Sequence, residues 1–157
     1  MGNGSITLRE AFMDDHREMT RGFVRLRECL ENGDWHSAKG LAAEIDRVAG
    51  PHIEFEESLY YPRLAPVVGA TAIRHMYREH SVGLDVIREI LSADHDAPAG
   101  SVLAEFAERC RRMLEHAHSC GVLLDHLTGL PEDEERELLK RLLKMRFEGR
   151  LWTEVGD

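Results

Sequence analysis

The chain has 157 residues, about one domain, enough to bury its own core without disulfides. With 43% hydrophobic and 31% charged residues it is composed like a soluble protein, and no apolar run approaches the roughly 20 residues of a membrane span. A formal charge of −9 repels phosphate backbones and argues against nucleic acid as a partner.

Met1-Gly-Asn-Gly-Ser-Ile has neither a basic n-region nor an apolar h-region, so no secretory signal is expected. Three cysteines, Cys29, Cys110 and Cys120, form no CxxC pair. An odd count without an export signal points to reduced thiols in the cytoplasm.

A first helix is predicted to start near Thr7, an N-cap with Glu10 at the capping-box position. Its stripe, Leu8, Phe12, His16, Met19, Phe23, Leu26 and Leu30, steps by three and four. Gly33 makes the turn. A second helix is expected from Trp35 to Tyr61, with Ala38, Leu41, Ile45, Val48, His52, Phe55 and Leu59 on one face. Gly50-Pro51 predicts a kink just before His52, and Pro62 an end.

A third helix is expected over residues 70–91, with Ile73, Met76, His80, Leu84, Ile87 and Leu91 in its stripe. Residues 92–101 read as a polar loop. A fourth helix then runs to Leu127 with Val102, Phe106, Met113, His116, Cys120 and Leu123 on one face. Thr128-Gly-Leu-Pro breaks it, and Pro131 suits the first turn of a fifth helix from Glu132 to Phe147. Strand signals are nearly absent. The expected fold is all-α: an up-down-up-down four-helix bundle over residues 1–130. Residues 131–157 form an additional C-terminal helix and tail, packed on the bundle or at a homodimer contact.

Each of the four bundle helices carries one histidine in its apolar stripe: His16, His52, His80 and His116. They are 36, 28 and 36 residues apart, which an up-and-down bundle with short connections brings to one level. A polar ring in a core is costly without a partner, and helix packing alone requires no histidine in every stripe. A shared metal ion does, because imidazole is a common ligand for iron and zinc. Glu56 lies four residues after His52 and so shares its face.

Other polar residues near these positions read differently. His118 points about 200° around the helix from His116 and joins a site only if the register is shifted. His75 and His126 read as surface, His36 and His95 as solvated. Glu57 is expected to be solvated or to touch the edge of the site, and Asp15 to face outward or cap a neighbour. Tyr60 and Tyr61 read as core packing, with a phenol facing the pocket as the alternative.

The order His, HxxxE, His, His resembles the hemerythrin-like, or HHE cation-binding, family. The resemblance is carried by Asp15-His16, by His52-Ile-Glu-Phe-Glu56-Glu57-Ser-Leu-Tyr-Tyr-Pro62, by Arg78-Glu79-His80 and by His116, over residues 6–127. It implies a left-handed four-helix bundle with a non-haem iron pair held by histidines and two bridging carboxylates. It also implies a function of binding or sensing O2, handling nitric oxide or peroxide, or storing iron.

The chain departs from that pattern in the fourth helix, where a second HxxxE would need a glutamate at position 120. The segment reads His116-Ala-His-Ser-Cys120-Gly121. Three readings stay open. Cys120 is a thiolate ligand, which favours zinc or a different iron chemistry. Alternatively the site holds one metal among His16, His52, Glu56, His80 and His116. Or the site is empty and Cys120 is a small buried hydrophobe. The expected function is a metal-binding module for a small ligand such as O2 or NO. The alternatives are an iron-dependent redox enzyme and a structural bundle. No dedicated base or nucleophile beyond the ligands is visible, which ranks the enzyme lower.

Overall fold

A computed structural model describes residues 4–127 and 129–156. Met1–Asn3 of the N-terminal stretch and Thr128 of the expected break lie outside them. The described residues form helices α1 (Leu8–Asn32), α2 (Trp35–Phe55), a π-helical turn (Glu56–Tyr60), α3 (Tyr61–Val68), α4 (Ala70–Ser92), α5 (Gly100–Leu123), a 3-10 turn (Leu124–Leu127), α6 (Glu132–Glu148) and α7 (Trp152–Val155), and no strand. None of these helices is long and apolar enough to cross a membrane.

The ends of α1 follow from local chemistry. Thr7 Oγ1 accepts from Glu10 N at 3.1 Å while Glu10 Oε2 accepts from Thr7 N at 2.8 Å, so two otherwise orphaned donors are satisfied reciprocally. Gly33 closes the helix at φ 72°, a left-handed conformation that favours glycine.

Helices α1, α2, α4 and α5 form the bundle: α1 packs against α2 and α5, and α4 packs against the same two. Their apolar stripes make two separate cores. One holds Phe23, Leu26, Trp35, Ile45, Ile87 and Phe106. The other holds Phe12, Phe55, Tyr60, Tyr61, Ile73 and Leu124. On every helix the buried histidine falls where the stripe passes from one core to the other: after Phe12 and before Met19, after Ala49 and before Phe55, after Met76 and before Leu84, after Met113 and before Cys120. The result is a polar layer across the middle of the bundle.

Three boundaries differ from the sequence expectation. Pro62 does not end the second helix. It occupies the first turn of α3, where its missing N–H is not needed, so the chain stays helical to Val68. The regular α-helix ends earlier, at Phe55, because the chain takes a π-helical turn there. Likewise α5 ends at Leu123 and tightens to 3-10 geometry to Leu127.

Beyond the bundle, α6 buries Leu138 and Leu142 in the second core. The sequence did not announce α7. Its Trp152 is buried in the first core, edge-on to Phe23 and directly over Gly83, where a Cβ would lie 2.8 Å from the indole. This C-terminal part packs on α2, α1 and α4.

Candidate metal centre

The Glu56 carboxylate, 1% exposed, is the hub of the polar layer. Oε1 lies 3.1 Å from His52 Nε2 and accepts from Cys120 Sγ at 2.8 Å. Oε2 lies 3.1 Å from His80 Nε2 and accepts from the Tyr61 hydroxyl at 3.3 Å. One oxygen therefore faces His52 on α2 and Cys120 on α5, and the other faces His80 on α4.

On the α4–α5 side the ligand atoms of Glu56, His80 and His116 all lie within 4.8 Å of one another, close enough to share one ion. The two rings meet edge to face with centroids 4.7 Å apart. The Tyr61 hydroxyl stands among them, 2.8 Å from His80 Nε2 and 3.2 Å from His116 Nε2. The π-helical turn puts it there. In that geometry Tyr61 N–H reaches the Glu56 carbonyl, five residues back, so the side chain above Glu56 is that of Tyr61. The Tyr60 hydroxyl instead donates to the Cys120 carbonyl at 3.2 Å.

On the other side His16 and His52 lie with ring centroids 5.8 Å apart, against Phe12. Their nitrogens are poorly satisfied. His16 Nε2 and His52 Nδ1 are buried without a hydrogen-bond partner, and His52 Nε2 has only the Glu56 carboxylate beside it, at 3.1 Å. An unsatisfied buried polar atom costs about 1–3 kcal/mol. Native cores seldom keep several such atoms together unless something else partners them.

Electrostatics follow from this crowding. Burial raises the Glu56 carboxyl, but His52 and His80 outweigh it and hold the group well below 4.5. Burial lowers His80, but hydrogen bonds with Glu56 and Glu57 raise it to about 9. His116 is lowered to about 4 by burial and by the neighbouring charge of His80. Burial and then the charge of Glu56 push the Cys120 thiol far above its ordinary range, so it sits here as an S–H donor.

Two open grooves flank α5 and reach the layer from opposite sides. One, of about 530 Å³, is bounded by Met76, Glu79, Arg112, His116 and Leu123. The other, of about 310 Å³, is bounded by His16, Thr20, Arg21, Leu114 and His118. The buried His116 lines the first and the buried His16 the second.

The hemerythrin HHE cation-binding domain matches residues 7–119. The chain belongs to that family. Comparison with curated proteins and with solved structures found no match. Family membership and the Glu56–His80–His116 cluster together identify a cation-binding bundle.

The structure thus brings His16, His52, Glu56, His80, His116 and Cys120 into one layer, but only three of them into a single compact cluster. His36, His75, His95, His118 and His126 are exposed. Sequence reasoning underrated three residues. Glu57 Oε1 is 2.9 Å from His80 Nδ1, Tyr61 stands inside the cluster, and Asp15 pairs with Arg146 rather than facing free solvent. The LYYP segment after HxxxE was the available signal for Tyr61. Nothing local signals the partner of Asp15, which is 131 residues away.

Proposed function

We propose that this hemerythrin-family bundle holds non-haem iron around Glu56 and uses it to bind or sense a small ligand such as O2 or NO. One observation carries the reading: a single buried carboxylate stands between two pairs of histidines, and the pair on its Oε1 side has buried nitrogens without partners. His80, His116 and Glu56 Oε2 would hold one ion, and His16, His52 and Glu56 Oε1 a second. Imidazole with carboxylate is a donor set suited to iron. Bound iron would supply an open coordination position and a reversible change of oxidation state.

The chain's own residues define the rest. Glu57 accepts from the far nitrogen of His80, the outer contact that orients a ligating ring. Tyr61 offers a hydroxyl inside the cluster, and Phe12, Met76 and Leu124 keep its surroundings apolar. The groove over His116 admits a small molecule from solvent.

A second reading is a zinc site. It is favoured by the Cys120 sulfur at 2.8 Å from Glu56 Oε1, a soft donor on the side of the layer where His52 is unpartnered. Anaerobic loading with ferrous iron, metal analysis per chain and an optical spectrum before and after O2 decide between them. Two irons with new near-ultraviolet bands support the shared-carboxylate centre. Retention of zinc with a silent spectrum supports the thiolate reading and removes O2 binding.

A further inference from the structure

The C-terminal part lies beyond the residues that match the family, and it grips α2 along one face. Asp46, Gly50 and Glu54 are spaced by four and so line one side of that helix. The Asp46 carboxylate, buried, accepts from Thr153 N at 2.8 Å and Thr153 Oγ1 at 3.0 Å. At Gly50 the backbone of Arg150 and Leu151 comes so close that any Cβ would overlap it. Arg150 Nη1 donates to Glu54 Oε1 at 3.3 Å. His52 sits inside this gripped turn.

A second arm reaches the ring of His52 from α6. Arg146 forks the Asp15 carboxylate, with Nε to Oδ2 at 3.0 Å and Nη2 to Oδ1 at 2.8 Å, and Nη2 also donates to the Ala11 carbonyl at 2.6 Å. Asp15 Oδ2 then lies 4.0 Å from His52 Nδ1. That nitrogen is buried and has no hydrogen-bond partner, and Asp15 is the carboxylate beside it.

We propose that the C-terminal segment is a clamp that orients His52, with Asp15 and Arg146 as positioning residues that hold the Nδ1 side of the ring so that Nε2 faces Glu56. Arg146 fixes the carboxylate at two points, and a small turn of the ring brings Nδ1–H within hydrogen-bond reach of it. A carboxylate on the far nitrogen of a ligating histidine fixes its tautomer and raises its basicity, and losing such a partner typically weakens metal binding by about 10–100-fold. The inference rests on the reading that His52 faces a metal.

The test uses the full chain and cobalt(II), whose visible bands report ligand geometry, in competition with a chelator. Asp15→Asn and Arg146→Met are each expected to weaken cobalt binding by about 10-fold or more and to shift the bands, with Arg146→Lys recovering part of both. Leu30→Ala, which empties a site in the first core away from Asp15, Arg146 and α6, serves as the packing control and is expected to lower thermal stability while leaving the bands in place. Asp15→Asn keeps size and shape and Arg146→Lys keeps the charge, so they remain informative if Arg146→Met does not fold. Wild-type affinity and unmoved bands in folded Asp15→Asn would overturn the clamp alone. A wild-type chain that takes up neither cobalt nor iron would overturn the metal reading beneath it, and the clamp with it.

Discussion

Glu57 Oε1 lies 2.9 Å from His80 Nδ1, while its neighbour Glu56 places Oε2 3.1 Å from Nε2 of the same ring. Adjacent carboxylates thus hold one imidazole from both ends. In the metal-free chain this arrangement keeps His80 protonated up to about pH 9. A cation that takes Nε2 must displace that proton, and Glu57 remains to hold the ring in place. Glu57→Gln should therefore weaken metal binding by about 10–100-fold with little loss of fold, as a chelator competition would show. Glu56→Gln should lose metal altogether, because it alone touches both sides of the layer. Unchanged metal content in Glu56→Gln and His52→Ala would remove the proposed centre.

The metal-free chain should be most stable near pH 6.5. His116 protonates at about 4 when folded and near 6.5 when unfolded, because burial and the charge of His80 disfavour its cation. The unfolded chain thus binds more protons below 6.5, and stability falls as pH drops from 6.5 toward 4. Burial and His52 lower His16 as well, so it acts in the same direction. His80 acts oppositely: its contribution is complete below 6.5 and is lost as pH rises through about 9. Glu56, held below 4.5, contributes above that pH and loses its contribution as pH falls through its folded value. Urea midpoints at pH 5, 6.5 and 9 measure both limbs. His116→Gln should flatten the acid limb and His80→Gln the alkaline one.

Cysteine chemistry should separate along burial. Cys29 is half-buried, whereas Cys110 and Cys120 are buried, with burial raising Cys110 to about 12 and Cys120 well beyond its usual range. At neutral pH a thiol reagent should label one cysteine in the folded chain and three after unfolding, as mass spectrometry would count. Fast labelling of Cys120 in the folded, metal-free chain would show that its thiol is not held against Glu56.

Replacing Cys120 by Glu sets a second carboxylate against the first. Without metal the two like charges should destabilise the chain. With ferrous iron the variant should hold the iron beside His52 more tightly than the wild type and keep it at a higher chelator concentration, because Oε1 of Glu56 loses its thiol donor and that side of the layer gains an anionic ligand. Metal analysis and thermal melts with and without iron give both numbers.

Trp152→Ala should destabilise the protein by about 3–5 kcal/mol, the usual range for emptying a buried tryptophan site. Gly50→Ala should also destabilise, by pushing the Arg150–Leu151 backbone off α2. Denaturant unfolding measures both, and a Trp152→Ala effect below about 1 kcal/mol would show that α7 is not part of the core.

The bundle was legible because each of its helices repeats apolar residues at steps of three and four, and the histidines stand in those same stripes. That periodicity fails where the chain departs from 3.6 residues per turn. Spacing by four points from Glu56 to Tyr60, yet the π-helical turn puts Tyr61 in the cluster. The pairing of Asp15 with Arg146 and the burial of Trp152 depend on where the chain returns after α5, and no local pattern encodes that path. Glu57 next to Glu56 reads as a solvated neighbour until the position of His80 is known.

The polar layer divides the bundle into halves that share helices but few apolar contacts, and the halves are fastened differently. One is closed by Trp152 and the Asp46–Thr153 bonds, the other by α6 and the π-helical turn. An ion bound between them would act as a rivet through all four helices. Amide exchange should then slow on metal binding mainly in the half that contains Phe12, Tyr61 and Ile73, while the Trp152 half is already protected in the bare chain.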